Sequence, residues 1–219
     1  MEPAEIRALI AGARWFDVEL ASDAIARIGR YLAVLAVWNR RLRLIGDHDH
    51  RAVVEKHAVD SLAPVPFLPA GGLVIDIGSG GGFPGIILGC VRPDLELTLI
   101  ESRRRRASFL REVIRSAPLP LARALDVRAE DAARDPALAG RATAVIARAL
   151  RLDRFLGLAA PFLAPSGIAI AMQTPRTAAL AEPTAGRYGL RLACRRDYSL
   201  PAGAARALLF FARSAETVS

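Results

Sequence analysis

In the first seventy residues, hydrophobic positions recur at the spacing of an α-helix. Between residues 25 and 35 an apolar side chain returns every three or four positions, at Ile25, Ile28, Leu32 and Leu35. This periodicity predicts a helix with one buried face, and Ser22 and Asp23 just before it are residue types that cap helix N-termini. A further helix is predicted from about residue 51 to residue 62, so this part of the chain is expected to be helical.

The helical pattern ends at residues 64–72, which are rich in proline and glycine. Because proline and glycine at this density interrupt a helix, we place a domain boundary there. Residues 1–70 are predicted to form a helical extension, and residues 71–219 are predicted to form a second, larger domain.

After the boundary, short apolar runs alternate with helical segments. Strands are predicted at residues 73–77, 96–100, 122–127, 142–147, 167–172, 190–196 and 206–212. Helices are predicted at residues 85–91, 103–116, 152–162 and 177–188. Alternating strands and helices indicate an α/β fold with a mostly parallel sheet and helices on both faces, in which the last two strands form a closing pair.

Composition narrows the class of protein. The chain has 219 residues, of which 53% are hydrophobic, enough for a sizeable core. Polar residues or glycine interrupt every apolar stretch before it reaches about 18 residues, so no membrane span is expected. The N-terminus is acidic and lacks the basic start of a signal peptide, and Cys90 and Cys194 fit neither a metal nor a redox spacing. We expect a cytoplasmic protein that binds no metal.

The charge of the chain is carried almost wholly by arginine. Lys56 is the only lysine, so 29 of the 30 basic residues are arginine, and the formal net charge is +8. Residues 1–70 carry nine basic and nine acidic side chains, whereas residues 71–219 carry 21 basic and 13 acidic ones. The excess lies on the α/β domain, where we expect the surface for a polyanionic partner.

The segment after the first predicted strand has the composition of a ligand-binding turn. Asp76 precedes a stretch, Gly78–Gly85, in which five of eight residues are glycine. Glycine permits positive φ and a close approach of a ligand to the backbone, and a turn between a strand and a helix is where open α/β sheets bind nucleotides. A nucleotide-like ligand is therefore predicted here.

Two ligands fit this turn. Gly80–Gly85 matches the dinucleotide pattern G-x-G-x-x-G, and Glu101 lies 21 residues after Gly80, so an NAD-dependent oxidoreductase is one interpretation. We favour S-adenosylmethionine, because a pyrophosphate would meet the Asp76 carboxylate, whereas amino and sulfonium groups are compatible with an anion.

The ends of the later strands carry further candidates. Glu101 ends the second strand and can accept hydrogen bonds from both hydroxyls of a ribose, unless it is a solvated strand-end acid. Ala129 and Glu130 follow the third strand, beside the expected adenine position, and Arg148 ends the fourth. Its position leaves Arg148 either in the ligand crevice or on the ordinary surface.

Taken together, these motifs resemble the RsmG (GidB) family, bacterial small-subunit ribosomal RNA methyltransferases that act on guanine N7. The matching segments span roughly residues 35–150 and are Trp38-Asn39, Lys56–Leu62, Asp76–Ile86, Thr98–Ser102, Phe109–Leu110, Arg128–Glu130 and Arg148–Ala149. The His-x-x-Asp-Ser segment and the Gly-Phe-Pro-Gly ending are much more specific than the glycines alone.

The resemblance implies a class I methyltransferase that uses S-adenosylmethionine, with a Rossmann-like, mostly parallel seven-stranded sheet and an N-terminal helical extension. It also implies a cofactor site formed by Gly78, Phe83, Ala129, Glu130 and Arg148. From their positions around the turn we add Asp76, Gly80 and Glu101 to these candidates.

Three places depart from the family pattern, and at one of them, Arg105, an arginine stands where a lysine is common in the helix after the strand-end acid. Arg43-Leu44-Ile45 stands where the family usually has Asn-Leu-Thr, and Met172-Gln173-Thr174 stands where it usually has Leu-Lys-Gly. The residue at Gln173 lacks the positive charge of a lysine, which could meet RNA or substrate. These departures concern the RNA target and catalysis and leave the cofactor expectation intact.

The implied reaction is methyl transfer to N7 of a guanine in 16S ribosomal RNA. Because N7 carries a lone pair and no proton, no general base is needed, and we expect a mechanism of positioning without a catalytic nucleophile. Arg148 and His57 are candidate orienting residues. His57 and Asp60, three residues apart on a predicted helix, are equally compatible with a structural cap.

The expected partner is the 16S RNA of the small ribosomal subunit, bound by a monomer. Side chains cannot readily enter the narrow major groove of an A-form helix, so the target guanine should be unpaired or extruded. The alternatives are an NAD-dependent oxidoreductase that uses the same turn and a non-catalytic ribosome-binding module.

Overall fold

The computed structural model describes residues 1–201 and 203–214 and begins with two helices, α1 (Pro3–Arg14) and α2 (Ser22–Leu42). Helix α2 buries Ile28, Leu32 and Leu35 of the predicted stripe, whereas Ile25 near its start is half-buried. The predicted cap is wrong by one residue. Ala21 has the extended backbone of the N-cap position and no capping side chain, and Ser22 is already in the first helical turn.

The predicted helix at 51–62 is helical throughout but changes its winding. Its parts are α3 (His50–Val53), a π-helical turn (Val54–Ala58) and a 3₁₀ turn (Asp60–Leu62). The Asp49 side chain caps α3, since its Oδ2 accepts a hydrogen bond from the backbone N–H of Ala52 at 2.7 Å. A further 3₁₀ turn, Val65–Phe67, follows before the sheet.

The sheet contains all seven predicted strands. They are β1 (Gly72–Ile77), β2 (Leu95–Ile100), β3 (Ala122–Leu125), β4 (Ala142–Arg148), β5 (Leu163–Gln173), β6 (Leu190–Ser199) and β7 (Ala205–Arg213). The helices between them are α4 (Gly85–Val91), α5 (Arg104–Ser116), α6 (Ala129–Ala132), α7 (Leu152–Ala159), α8 (Pro175–Ala178) and α9 (Ala181–Gly186), and a 3₁₀ turn, Ala160–Phe162, follows α7. The predicted helix at 177–188 is thus two short helices. Helix α1 lies in the part expected to be helical, although its bounds were not predicted, and α6 was not predicted.

The strand order is β3-β2-β1-β4-β5-β7-β6. Strands β1 to β5 pair in parallel, whereas β7 pairs antiparallel with both β5 and β6. The predicted closing pair is confirmed, with β7 inserted beside β5 and β6 at the edge. Because the chain moves outward in opposite directions from β1 and β4, the crevice at their carboxyl ends is the expected ligand site.

Two hydrophobic clusters hold the helices against the sheet. One joins the first face of the sheet to α4, α5 and the N-terminal helices, and the other joins the second face to α7 and α9. The helices before residue 71 thus share a core with the sheet, and their separation as an extension stays a prediction. Within residues 1–201 and 203–214, no helix has the length and apolar character needed to cross a membrane.

Candidate active site

The turn between β1 and α4 is built on glycines in the left-handed region. Gly78, Gly80 and Gly82 have φ values of +73°, +52° and +93°. A Cβ on Gly82 would collide with the side chain of Ile86, whereas the position of a Cβ on Gly78 has no described atom within 4 Å. Packing therefore requires glycine at 82, while the open space at Gly78 leaves the backbone accessible to a ligand.

Two buried side chains fix this turn through hydrogen bonds to its backbone. The Tyr31 hydroxyl of α2 donates to the carbonyl of Gly81 at 2.7 Å. Oδ2 of Asp76 accepts from the N–H of Gly85 at 3.1 Å, and its Oδ1 has no hydrogen-bond partner among the described residues. Burial raises the pKa of Asp76 to about 7. The structure thus places Asp76 beneath the turn, where it supports the start of α4.

Glu101 is held against the same turn at the end of β2. Its Oε2 accepts from the N–H of Gly80 at 3.0 Å, and its Oε1 accepts from the N–H of Arg103 at 2.8 Å. The side chain is buried, so its orientation is fixed. Each oxygen keeps further acceptor capacity, which suits the ribose role predicted for this residue.

A cleft opens beside the turn, and we call it the strand-end cleft. Its lining residues come from the ends of β1 and β2, the start of α6 and the β4–α7 segment: Ile77, Gly78, Ile100, Glu101, Ser102, Val127, Arg128, Ala129, Glu130, Leu150, Arg154 and Leu158. Four of the eight predicted cofactor residues therefore line one cavity, namely Gly78, Glu101, Ala129 and Glu130.

Arg148, at the end of β4, is held by residues from the N-terminal segment. Its Nη2 donates to Nδ1 of His57 at 2.8 Å, and its Nη1 donates to Oδ2 of Asp60 at 3.2 Å. The guanidinium carbon lies 5.1 Å from the centre of the Phe83 ring. Two predicted cofactor residues, Arg148 and Phe83, therefore stack on each other, and His57 and Asp60 both orient Arg148.

The contact with Arg148 fixes the protonation of His57. Because a guanidinium can only donate, Nδ1 of His57 must accept, and the proton of the neutral ring then sits on Nε2. Nε2 lies 2.8 Å from Oδ2 of Asp47, to which it donates. Burial, with the nearby Arg148 charge, lowers the pKa of His57. Both ring nitrogens are thus engaged.

Asp60 ties the N-terminal segment to the last two strands. Its Oδ1 accepts from the Tyr198 hydroxyl of β6 at 2.7 Å, and its Oδ2 lies 3.8 Å from Nε of Arg206 on β7. Burial and the adjacent Asp60 raise the pKa of Tyr198. Sequence reasoning missed Tyr198 and Arg206 because neither lies in a motif, and only the fold brings them to Asp60.

Asp47 lies in the loop between α2 and α3 and holds that loop against His57 and Lys56. Its carboxylate accepts from Lys56 at 2.9 Å as well as from His57, and these contacts hold the pKa of Asp47 below its usual value. The buried Asn39 side chain shapes this loop, accepting from the N–H of Ile45 at 3.0 Å and donating to the carbonyl of Asp47 at 3.3 Å. Asp47 was also missed, since it has no sequence signature.

A second cleft, which we call the Arg148 cleft, adjoins the first. It is lined by Asp47, Lys56, His57, Asp60, Arg148, Ala149, Met172, Gln173, Thr174 and Arg206. Nε2 of Gln173 donates to the carbonyl of Leu150 at 2.8 Å, and Leu150 lines the strand-end cleft. The two clefts therefore meet at the end of β4.

Comparison with known proteins gives the family. The family model described as GidB, rRNA small subunit methyltransferase G, matches residues 24–186. The chain belongs to this family. A ribosomal RNA small subunit methyltransferase G from Anaeromyxobacter sp. (strain Fw109-5) is 39% identical over 173 residues, which cover 78% of this chain and 80% of that protein. The namesake from Myxococcus xanthus is 35% identical over 94% of this chain and 95% of its own length.

The fold has solved counterparts at low sequence identity. The structure of a ribosomal protein L11 methylase from Lactobacillus delbrueckii subsp. bulgaricus has a TM-score of 0.57 and 13% identity over 78% of this chain and 81% of that one. The fold is that of a class I methyltransferase, as predicted.

Because the chain belongs to this family, it is an rRNA methyltransferase that depends on S-adenosylmethionine. The oxidoreductase and the non-catalytic module are not supported. The strand-end cleft fits this cofactor, because Gly78 leaves open space beside its backbone and Glu101 offers free acceptor capacity toward hydroxyls. The assignment of individual residues to the cofactor stays a prediction.

Proposed function

We propose that this protein methylates N7 of one guanine in 16S ribosomal RNA, within the small ribosomal subunit, and that the guanine enters the Arg148 cleft. One observation carries the choice of N7: the imidazole and the two carboxylates of the Arg148 cleft are already engaged in contacts with one another, with cations or with the Tyr198 hydroxyl. Such a cleft suits an acceptor atom that has no proton to remove.

The strand-end cleft would hold the methyl donor. Glu101 would accept the ribose hydroxyls, Ala129 and Glu130 would border the adenine, and Gly78 would let the ligand lie against the turn. When bound, S-adenosylmethionine supplies an electrophilic methyl group. The chain's own contribution is to fix these contacts in advance through the hydrogen bonds of Glu101 with Gly80 and Arg103.

Methyl transfer also requires that the guanine be oriented and that the negative charge of the RNA be balanced. Arg148 is fixed by His57 and Asp60, and its planar group stacks on Phe83, so it presents a rigid cationic edge at the meeting point of the clefts. A rigid donor can hold a guanine oxygen or a phosphate without reorganisation. Lys56 and Arg206 line the same cleft and would hold the phosphates of the flipped nucleotide.

The cysteines do not support a reaction through a thiolate. Cys90 is buried in the core, and burial raises its pKa to about 12. Cys194 lies on β6, and its thiol contacts the carbonyl of Arg195. Neither residue lines either of the two clefts. Methylation at a carbon that first requires attack by a cysteine therefore fits this structure less well than transfer to N7.

The test is transfer to defined RNA. Purified protein is incubated with labelled S-adenosylmethionine and with small subunits that lack the modification, and the RNA is then treated with borohydride and aniline, which cleave at 7-methylguanosine. We expect label in 16S RNA and a single cleavage site. An RNA fragment with 7-deazaguanine at that site, which has no N7 lone pair, is the matched control and should accept no label.

Label without cleavage at a guanine, or label in the large-subunit RNA, would contradict the proposal. The same assay compares intact subunits with deproteinised 16S RNA, because accessibility of an extruded guanine depends on the substrate presented. We further propose that the protein acts as a monomer in the cytoplasm, and sedimentation equilibrium tests its oligomeric state.

A further inference from the structure

We propose that seven arginines beside the glycine turn form a docking surface for the sugar-phosphate backbone of the substrate RNA. We call it the arginine surface, and it consists of Arg40, Arg41, Arg43, Arg103, Arg104, Arg105 and Arg106. It rests on the proposed function in one respect, namely that the substrate is RNA.

The two halves of the arginine surface meet at the turn. The ring centres of Trp38, near the end of α2, and Phe109 of α5 are 5.9 Å apart. The side chain of Ile45 lies 3.1 Å from the position that a Cβ on Gly81 would take, and Nη1 of Arg106 lies 3.7 Å from the corresponding position on Gly80. RNA bound there would therefore pass beside the turn.

These arginines are available to a partner. Six of the seven are exposed and Arg106 is half-buried. Within residues 1–201 and 203–214, none of their guanidinium nitrogens lies within 4.0 Å of a carboxylate oxygen. Exposed arginines elsewhere on the protein do form ion pairs, as Arg115 does with Glu112 at 2.7 Å and Arg187 with Asp153 at 2.8 Å.

The local sequence excludes internal neutralisation. Residues 24–46 and residues 102–111 contain no Asp or Glu, although the chain has 22 acidic residues. Two separate segments that are free of acids are thus packed side by side. The positive potential of this face is left for an external anion.

Helix stability does not explain the arginines of α5. The N-terminus of a helix carries partial positive charge, so cations in its first turn are unfavourable. Helix α5 begins at Arg104, has Arg103 at its N-cap, and has no acidic residue in its first turn. By contrast, Arg40 and Arg41 lie in the last turn of α2, where cations are favourable. The arginines at the start of α5 are therefore unfavourable to the helix dipole, and a bound anion would offset this repulsion.

The chemistry favours phosphates. A guanidinium binds a phosphate through two parallel hydrogen bonds, and arginine is the residue best suited to this geometry. The loop after Arg43 runs through Ile45 at the turn to Asp47 in the Arg148 cleft. An RNA strand bound to the arginine surface would therefore reach the clefts by following this loop.

The experiment compares paired substitutions. Arg104→Gln/Arg105→Gln removes two charges from α5, and Arg40→Gln/Arg41→Gln removes two from α2. The matched control is Arg7→Gln/Arg14→Gln, which removes two exposed arginines of α1. Each protein is measured for its Kd for the RNA substrate between 50 and 300 mM salt, its KM and kcat for methyl transfer, and its Kd for S-adenosylhomocysteine.

We expect each surface variant to raise the RNA Kd and the KM on the order of tenfold at low salt. The slope of log Kd against log salt should fall by about 0.7–0.9 for each phosphate that the variant no longer binds. The Kd for S-adenosylhomocysteine should change less than twofold, which also shows that the variants fold. The α1 control should match the wild type.

Two negative results are distinguishable. If the wild-type protein transfers methyl groups to RNA and the surface variants keep its salt slope and KM, the arginine surface is not a docking site. If the wild-type protein itself fails to bind or methylate RNA, the proposed function fails first.

Discussion

Arg148 donates to Nδ1 of His57 and so requires the imidazole to be neutral. Burial is the largest physical cause of the lowered pKa of His57, and the second is the Arg148 charge, because a proton on Nδ1 would place two cations 2.8 Å apart. The contact between Arg148 and His57 therefore exists only while Nδ1 of the imidazole is unprotonated.

The free energy of unfolding should rise with pH in the interval just below pH 6.5, the ordinary pKa of histidine. His57 binds a proton less readily in the folded protein than in the unfolded chain, so the unfolded state takes up more protons there and acid destabilises the fold. Urea unfolding of the wild type and of His57→Gln, which does not titrate, measures this contribution. Identical pH profiles would argue against it.

Compared with the wild type, Asp76→Asn should raise the free energy of unfolding by roughly 4 kcal/mol more at pH 8 than at pH 3.5. Burial raises the pKa of Asp76 from 3.8 to about 7 in the fold, so the free energy of unfolding falls as pH rises from 3.8 to 7. Asparagine removes the charge and keeps an oxygen for the Gly85 N–H. An equal loss of stability at both pH values would show that the turn needs the carboxylate.

Glu101→Ala should weaken S-adenosylhomocysteine binding by about 1–3 kcal/mol, because the ribose hydroxyls and the N–H of Gly80 both lose an acceptor. Isothermal titration calorimetry measures the change. Glu96→Ala, at an exposed position of the same strand, is the control and should leave the affinity unchanged. If the two variants bind equally well, Glu101 does not hold the ribose.

Tyr198→Phe should lower the free energy of unfolding by about 1–3 kcal/mol, because it leaves Oδ1 of the buried Asp60 without its donor. The comparison variant is Tyr188→Phe, which removes a hydroxyl contact with the more exposed Asp153. Water can replace that contact, so denaturant unfolding should show a smaller loss there. A larger loss for Tyr188→Phe would reverse this interpretation.

Arg104→Glu should raise Tm by about 1–3 °C while it weakens RNA binding, since a carboxylate in the first turn of α5 favours the helix dipole. Differential scanning calorimetry tests the gain, with Arg105→Gln as the variant that only removes a charge. A fall in Tm would mean that Arg104 stabilises the fold and would weaken its assignment to docking.

The sequence predicted the sheet well and the contacts around Arg148 only in part. Short apolar runs and the glycine turn are local patterns, so the seven strands and the first turn could be placed before the structure was known. The contacts of Asp60 with Tyr198 and Arg206 join residues more than a hundred positions apart in the chain. No local pattern encodes such a pair, because it arises only when the last strands pack beside the N-terminal segment.

Net charge per domain was a poor guide to the local surface. Residues 1–70 are neutral in total, so their net charge predicts no surface for a polyanionic partner there. Their acidic side chains all lie before residue 24 or after residue 46, and the intervening stretch carries five arginines. Charge averaged over a domain therefore hid the end of α2, which only three-dimensional packing places beside the arginines of α5.

The contacts of Asp60 with Tyr198 and Arg206 depend on strands that are synthesised last. Strands β1 to β4 and the strand-end cleft residues leave the ribosome before β6 and β7, which supply two partners of Asp60. A nascent chain interrupted after β5 would carry the residues of the strand-end cleft with an incomplete Arg148 cleft. The Arg148 cleft is therefore complete only when β7 has joined the sheet, because Arg206 of that strand lines it.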